Sequence, residues 1–334
     1  MPSSGQSSRT RKSTSVAQKT KTPALPKDLL TVADIPRQKI HHLLTLAKKL
    51  KAARGKGRTV FPLKGKTLGL IFEKPSTRTR VSFEAGMNQL GGQALFLASE
   101  KIQLSRGESL ADTAKVLTRY LDGLVVRTFD QASLEEWARH TSIPVINGLT
   151  DHCHPCQALA DLLTIVEKKG RAQGLKLAYI GDGNNITHSL LEVGAKVGMH
   201  VTVGCPKGYE PDRGIVEAAK EEGLQTGARI EITHDPQIAA QDADVIYTDV
   251  WISMGQEHEQ QPRMAALAPY QVNRQLMQQA KANALVMHCL PAHRGEEITE
   301  DVLDGPQSVV LDQAENRLHI QKAILLEWIG KQDS

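Results

Sequence analysis

From about residue 67 to residue 313 the chain alternates short apolar runs with longer amphipathic ones, and this alternation leaves few folds open to it. The apolar runs 67–72, 94–98, 123–129 and 143–147 read as strands. A second series follows at 175–181, 201–205, 229–233, 245–249, 285–289 and 309–313. The stretches between them have helical spacing: in 81–90, Phe83, Met87 and Leu90 fall on one face and Gly91 supplies a stop. Strands alternating with helices mean βαβ units and parallel sheets. Ten strands divide into two sheets more readily than they form one, and 334 residues exceed a single compact core. The expected architecture is therefore α/β: two doubly wound domains, each a central parallel sheet flanked by helices, with the active site in the cleft between them. The boundary is expected in or just after 152–157, ahead of a long helix at 158–168. Two further helices are expected, at 37–52, with Ile40, Leu43, Leu44 and Ala47 buried, and at 315–329, with Ile320, Ile324 and Trp328 on one face.

Charge separates the N-terminus from the rest. Residues 1–27 hold Arg9, Arg11, Lys12, Lys19, Lys21 and Lys27 and no acid. Without those six, 35 of the 41 basic residues stand against 37 acidic ones. The segment is rich in Ser, Thr, Gln and Lys and has almost nothing to bury, so it reads as a disordered basic tail. A transit peptide to the mitochondrial matrix is the alternative, although Met1, Val16 and Ala17 are the only apolar side chains before Ala24. No aromatic residue interleaves the charges, which argues against a nucleic-acid arm. No apolar run has the length to span a bilayer, so no membrane role is expected and a cytoplasmic location is. Four cysteines in a chain this long do not form a disulfide framework.

Open parallel sheets bind ligands beyond the carboxyl ends of their strands, and the unusual polar residues recur there. Ser76-Thr77-Arg78-Thr79-Arg80 joins the first strand to a helix; hydroxyls, backbone N–H groups and guanidinium at a helix start suit a phosphate or similar oxyanion. Arg127 lies near the end of the third strand. Asp151-His152-Cys153-His154-Pro155-Cys156-Gln157 has the composition of a zinc cluster, but its Cys-x-x-Cys lacks a second ligand pair, and His154 beside Gln157 reads better as a ligand-polarising group. Gly181-Asp182-Gly183-Asn184-Asn185 resembles the start of a dinucleotide fingerprint without its third glycine, which weakens an NAD-dependent oxidoreductase reading. Asp249-Val250-Trp251-Ile252-Ser253-Met254-Gly255 offers a carboxylate, a hydroxyl and a thioether to an ammonium group on a short alkyl stem, or else a helix cap with Trp251 and Met254 in the core. Cys289, in Met287-His288-Cys289-Leu290-Pro291, is either a buried, inert thiol or a nucleophile that would need a histidine base.

Taken together, Ser-Thr-Arg-Thr-Arg, His-Pro-Cys-Gln, Asp-Val-Trp-Ile-Ser-Met-Gly and His-Cys-Leu-Pro resemble the aspartate/ornithine carbamoyltransferase superfamily, in its ornithine branch, from about Asp28 to Trp328. The resemblance implies transfer of the carbamoyl group of carbamoyl phosphate to the δ-amine of L-ornithine, giving L-citrulline and phosphate. Putrescine or N-acetylornithine is the alternative acceptor. It implies a carbamoyl phosphate-binding domain at 28–155, an ornithine-binding domain at 156–313 and a C-terminal helix at 314–334 packing back on the first domain. Carbamoyl phosphate would be held by Ser76, Thr77, Arg78, Thr79, Arg127, His154, Gln157, Cys289, Leu290 and Arg317. Gln103 would serve the site of a neighbouring subunit in a homotrimer with shared active sites. Ornithine would be held by Asn185, Asp249, Ser253 and Met254, and Arg78, Arg127, His154, Asp249 and Cys289 would carry the chemistry. Positioning and electrostatics suffice for such a transfer, so neither metal nor organic cofactor is expected.

Overall fold

The computed structural model describes residues 26–57, 60–99, 103, 107–255 and 257–330. The expected tail at 1–27 lies almost wholly outside the described residues. Pro26 and Lys27 are described, and Lys27 Nζ donates to Ala138 O at 2.7 Å and Thr141 O at 2.8 Å. An ammonium group is well placed there, because carbonyls at a helix C-terminus lack intrahelical partners and carry partial negative charge.

In chain order the elements are α1 (Arg37–Gly55), β1 (Thr67–Phe72), α2 (Thr77–Gln89), β2 (Gln93–Ala98), α3 (Leu110–Leu117), β3 (Gly123–Arg127), α4 (Gln131–His140), β4 (Val145–Leu149) and α5 (Pro155–Lys169). There follow β5 (Lys176–Ile180), α6 (Asn185–Val197), β6 (His200–Gly204), α7 (Arg213–Thr226), β7 (Ile230–Thr233), α8 (Pro236–Ala240) and β8 (Val245–Thr248). The chain closes with α9 (Gln260–Leu267), α10 (Arg274–Met277), β9 (Leu285–His288), α11 (Glu300–Leu303) and α12 (Val310–Ile329).

Two all-parallel sheets result among the described residues, with orders β2-β1-β3-β4 and β7-β6-β5-β8-β9. The central strands β1, β3 and β5 are buried almost throughout because helices cover both faces of each sheet. Strand order reverses between β1 and β3 in one sheet and between β5 and β8 in the other, and such switch points open a crevice at the strands' carboxyl ends. Nine of the ten expected strands form. The tenth, at 309–313, is instead the start of α12; only Ser308 makes a bridge, to Val286. A short apolar run such as Val309-Val310-Leu311 does not distinguish a strand from the first turn of a helix.

Two helices join the halves. α5 leaves β4 of the first sheet and delivers the chain to β5 of the second; Pro155 starts it and Gly170, at φ 79°, ends it. α12 packs against α5 and also against α1 and α2 of the first half. Its residues Ile320, Ala323, Ile324 and Leu325 are fully buried. Ile324→Ala leaves a cavity in that seam and should cost about 3 kcal/mol in urea unfolding; an unchanged midpoint would mean that α12 does not anchor the two halves.

Candidate active site

A cleft of about 780 Å³ lies between the carboxyl ends of the two sheets. On the first-domain side Ser76 caps α2, its Oγ accepting from Thr79 N at 3.2 Å, so the first turn of the helix opens toward the cleft beside Thr77 and Arg78. Three guanidinium groups converge behind it. Arg78 Nη2 donates to Leu290 O across the cleft at 2.6 Å, Arg127 Nε to Lys74 O at 3.2 Å, and Arg317 to Thr79 Oγ1 at 2.6 Å and Gln157 Oε1 at 2.8 Å. Among the described residues none of the three forms a salt bridge with a carboxylate, and the Nε atoms of Arg78 and Arg317 are buried without a hydrogen-bond partner. The charges act on one another. Burial, then the charges of Arg317 and Arg78, pulls Arg127 down to about 10. Burial and the same three arginines hold His154 well below the usual imidazole range, so it is neutral at pH 7, with Nδ1 unpartnered. Such a cluster is electrostatically incomplete: an anion relieves the repulsion and satisfies the open donors.

The other side of the cleft presents a carboxylate. Asp249, just beyond β8, accepts from Asn184 Nδ2 on Oδ2 (2.9 Å), and from Val250 N (2.8 Å) and Cys289 Sγ (2.9 Å) on Oδ1. Burial, reinforced by Asp249, raises the Cys289 thiol well above its ordinary range. It is therefore a protonated donor rather than a thiolate nucleophile. His288 cannot activate it. That ring accepts from Leu290 N at Nδ1 (2.9 Å), so its proton sits on Nε2 and faces Glu297 Oε1 (3.1 Å).

The other readings of the sequence meet equally definite partners. Asn184 caps α6, its Oδ1 accepting from Ile186 N and Thr187 N, and thus occupies donors that a dinucleotide's pyrophosphate would use. Gly183 packs against the Glu210–Pro211 backbone so closely that a Cβ would come within 2.3 Å of Pro211 N. Cys153 and Cys156 are buried thiols donating to Leu30 O and Asn147 O, and among the described residues neither they nor His154 belong to a group of side chains close enough to share a metal ion.

A family model described as the aspartate/ornithine carbamoyltransferase carbamoyl-P binding domain matches residues 27–167, and one for the Asp/Orn binding domain matches residues 173–328. The chain belongs to the aspartate/ornithine carbamoyltransferase family. It is 59% identical to an ornithine carbamoyltransferase of Anoxybacillus flavithermus over 303 residues, covering 91% of this chain and 96% of that one. It is 54% identical to one from Thermococcus kodakarensis, covering 91% and 96%. The solved structure of the ornithine carbamoyltransferase from Pyrococcus furiosus superposes with a TM-score of 0.88 at 52% identity, covering 91% of this chain and 98% of that one.

Of the residues expected at a family site, Ser76, Thr77, Arg78, Arg127, His154, Gln157, Asn185, Asp249, Ser253, Met254, Cys289, Leu290 and Arg317 all line the cleft. Thr79 does not; it is fully buried and hydrogen-bonded to Ser76 and Arg317. Gln103 is exposed and outside the lining. Arg263, His188 and Tyr209 are among the cleft residues that went unremarked in the sequence. Arg263, on α9, pairs with Asp182 and donates to Trp251 O at 2.8 Å, anchoring the loop that carries Ser253 and Met254. Burial pushes Asp182 up to about 6 despite that arginine. His188 Nδ1 meets His152 O and Nε2 accepts from Asp212 N, and Tyr209 packs under Arg263. Nothing local marks Arg263, whose helix reads as an ordinary polar surface segment.

Inorganic phosphate should therefore stabilise the protein: at one hundred times its Kd the gain is about 2.7 kcal/mol, read as a rise in thermal midpoint. Arg127→Ala should lose most of that rise. A midpoint indifferent to phosphate would show that the cluster is not an anion site.

Proposed function

We infer that the chain is an ornithine carbamoyltransferase, transferring the carbamoyl group of carbamoyl phosphate to the δ-amine of L-ornithine to give L-citrulline and phosphate. The observation that carries this reading is the meeting, in one cleft, of three arginines that form no salt bridge among the described residues and an Asp249–Cys289 pair suited to an amine. The names of close relatives support ornithine as the acceptor.

On this reading Ser76, Thr77, Arg78 and the first turn of α2 hold the phosphate. Arg127 and neutral His154 face the carbamoyl oxygen, while Gln157, Arg317 and Leu290 complete the donor site. Thr79 acts through Arg317, whose guanidinium it orients. Asn185, Asp249, Ser253 and Met254 hold ornithine, with its δ-amine beside Cys289. That amine has a pKa near lysine's, about 10.4, and must lose a proton before it can attack. Asp249 and the Cys289 thiol orient it, and the Asp249 carboxylate is the group placed to accept that proton. Attack at the carbonyl carbon builds negative charge on oxygen, which the preorganised Arg127 and His154 stabilise without reorganisation. The C–O bond to phosphate then breaks, and Arg78 takes up the leaving group's growing charge.

A trimer with shared sites agrees with this reading. Gln103 is exposed near the end of β2, an edge strand whose Leu95 is also exposed, and Val116 and Tyr120 add exposed apolar surface at and beyond α3. Among the described residues no helix is long and apolar enough to cross a membrane, and a cytoplasmic location fits the bacterial and archaeal relatives.

The decisive assay offers purified protein carbamoyl phosphate with ornithine, putrescine and N-acetylornithine in parallel. Citrulline should form fastest; preference for either other acceptor would reject the substrate assignment. Arg78→Ala should lower the rate at least ~100-fold, and a near-normal rate would remove Arg78 from the transition state. Cys289→Ser keeps a hydrogen-bond donor to Asp249 and should retain measurable turnover with a raised KM for ornithine. Complete loss would instead point to covalent catalysis.

A further inference from the structure

One buried carboxylate outside the cleft is bonded to both halves of it. Asp161 lies one helical turn beyond Gln157 on α5 and is fully buried. Its Oδ1 accepts from Gln157 Nε2 at 2.8 Å and from Gln313 Nε2 at 2.7 Å, and its Oδ2 accepts from Tyr247 OH at 3.0 Å. Each partner is tied to a working part of the site. Gln157 Oε1 receives Arg317 Nη1, and Arg317 Nη2 reaches Thr79 on α2. Gln313 Oε1 receives His288 N at 3.0 Å, on the peptide that leads into Cys289. Tyr247 stands on β8, two residues before Asp249, with its ring stacked on Tyr179 of β5.

Gln157 and Gln313 donate to Oδ1 and Tyr247 to Oδ2, a set that an ionised carboxylate satisfies in full. A proton on Oδ2 would have to reverse the Tyr247 hydroxyl, which already accepts from Gln313 Nε2 at 3.1 Å. The state of Asp161 Oδ1 also bears on which way the Gln157 amide points. With a carboxylate as its neighbour, the NH2 end faces Asp161 and the carbonyl faces the guanidinium. A protonated Asp161 donating to Gln157 would turn the amide over and set its NH2 against Arg317, donor to donor.

We propose that Asp161 is a positioning residue for carbamoyl transfer, an ionised buried carboxylate that holds Gln157, Arg317 and the backbone ahead of Cys289 in register across the two domains. This rests on the carbamoyl-transfer reading and deepens it. Burial raises Asp161 to about 7, against the lowering effect of its hydrogen bonds from Gln157, Gln313 and Tyr247 and of the charge on Arg317. The titratable or charged groups facing it are Tyr247 from β8, Arg317 from α12 and the neutral Cys289 thiol after β9. Since the ionised form does the positioning, activity falls as pH drops through the neutral range and the carboxylate takes up a proton.

The test measures citrulline formation at saturating ornithine over a pH series, using the full-length enzyme, Asp161→Asn and Tyr247→Phe. Phosphate binding is followed by calorimetry on the same proteins. Misplacing Gln157 and Arg317 should lower kcat about 100-fold in Asp161→Asn, while phosphate affinity, to which Arg317 contributes alongside Ser76, Thr77, Arg78 and Arg127, should fall by a clearly smaller factor. Tyr247→Phe deletes one hydrogen bond to the carboxylate and should move the acid limb of the kcat profile to higher pH. It decides the matter alone if Asp161→Asn does not fold. The proposal is overturned if Asp161→Asn keeps normal turnover, if its phosphate affinity falls as far as its kcat, or if the limb in Tyr247→Phe stays in place. A wild-type protein that makes no citrulline would instead reject the carbamoyl-transfer reading itself.

Discussion

Mutual repulsion among Arg78, Arg127 and Arg317 is the interaction around which the rest of the molecule is arranged. Like charges in a buried setting raise one another's energy, and Arg127 pays part of it as a depressed pKa. Ordinary folding would neutralise such a group with a carboxylate. Here the neighbouring acids are engaged elsewhere: Asp151 with Lys74, Asp182 with Arg263, and Asp249 with Asn184 and Cys289. The cluster is left to be completed by a ligand. An anionic substrate thus supplies both binding energy and the missing counter-charge.

The fold holds these charges together by distributing them over elements that cannot easily separate. Arg78 rides on α2, Arg127 ends β3, and Arg317 comes from α12, which packs on both halves. Arg78 reaches across to Leu290, a residue at φ 60° whose carbonyl points into the cleft from the second domain. That conformation is uncommon for a side chain with a Cβ, and His288 supports it by accepting from Leu290 N. Burial does the complementary work around Asp249, keeping Cys289 as a thiol. The same residue then serves as a donor to the carboxylate.

Much of this was legible in the sequence because parallel sheets concentrate function at strand ends. Ser76–Arg80, His154–Gln157, Asp249 and Cys289 could be picked out as polar residues following apolar runs, and the cleft brings together Ser76, Thr77, Arg78, His154, Gln157, Asp249 and Cys289 from them. The illegible parts depend on long-range packing. Lys27 reads as one more tail cation until the end of α4 is folded beside it. Residues 309–313 read as a strand because a short apolar run does not distinguish a strand from a helix start; in the fold Val309 and Val310 are buried and Leu311 faces solvent. Arg263 is invisible until α9 meets Asp182. Asp161 did carry a signal, an acid within the apolar run Ala158-Leu159-Ala160-Asp161-Leu162-Leu163, and a charge buried in a helix requires donors that only the tertiary fold supplies.

The central claim is that donor and acceptor are held at once in a single cleft, with the arginine cluster waiting for an anion. Calorimetric titration with a bisubstrate compound, a phosphonate joined through a carbamoyl-like linker to the δ-nitrogen of ornithine, tests it directly against the two separate halves. The account predicts that the joined compound binds at least ~100-fold more tightly than either half. Affinity no better than that of the phosphonate fragment would contradict it, because the two sites would then not share one cleft.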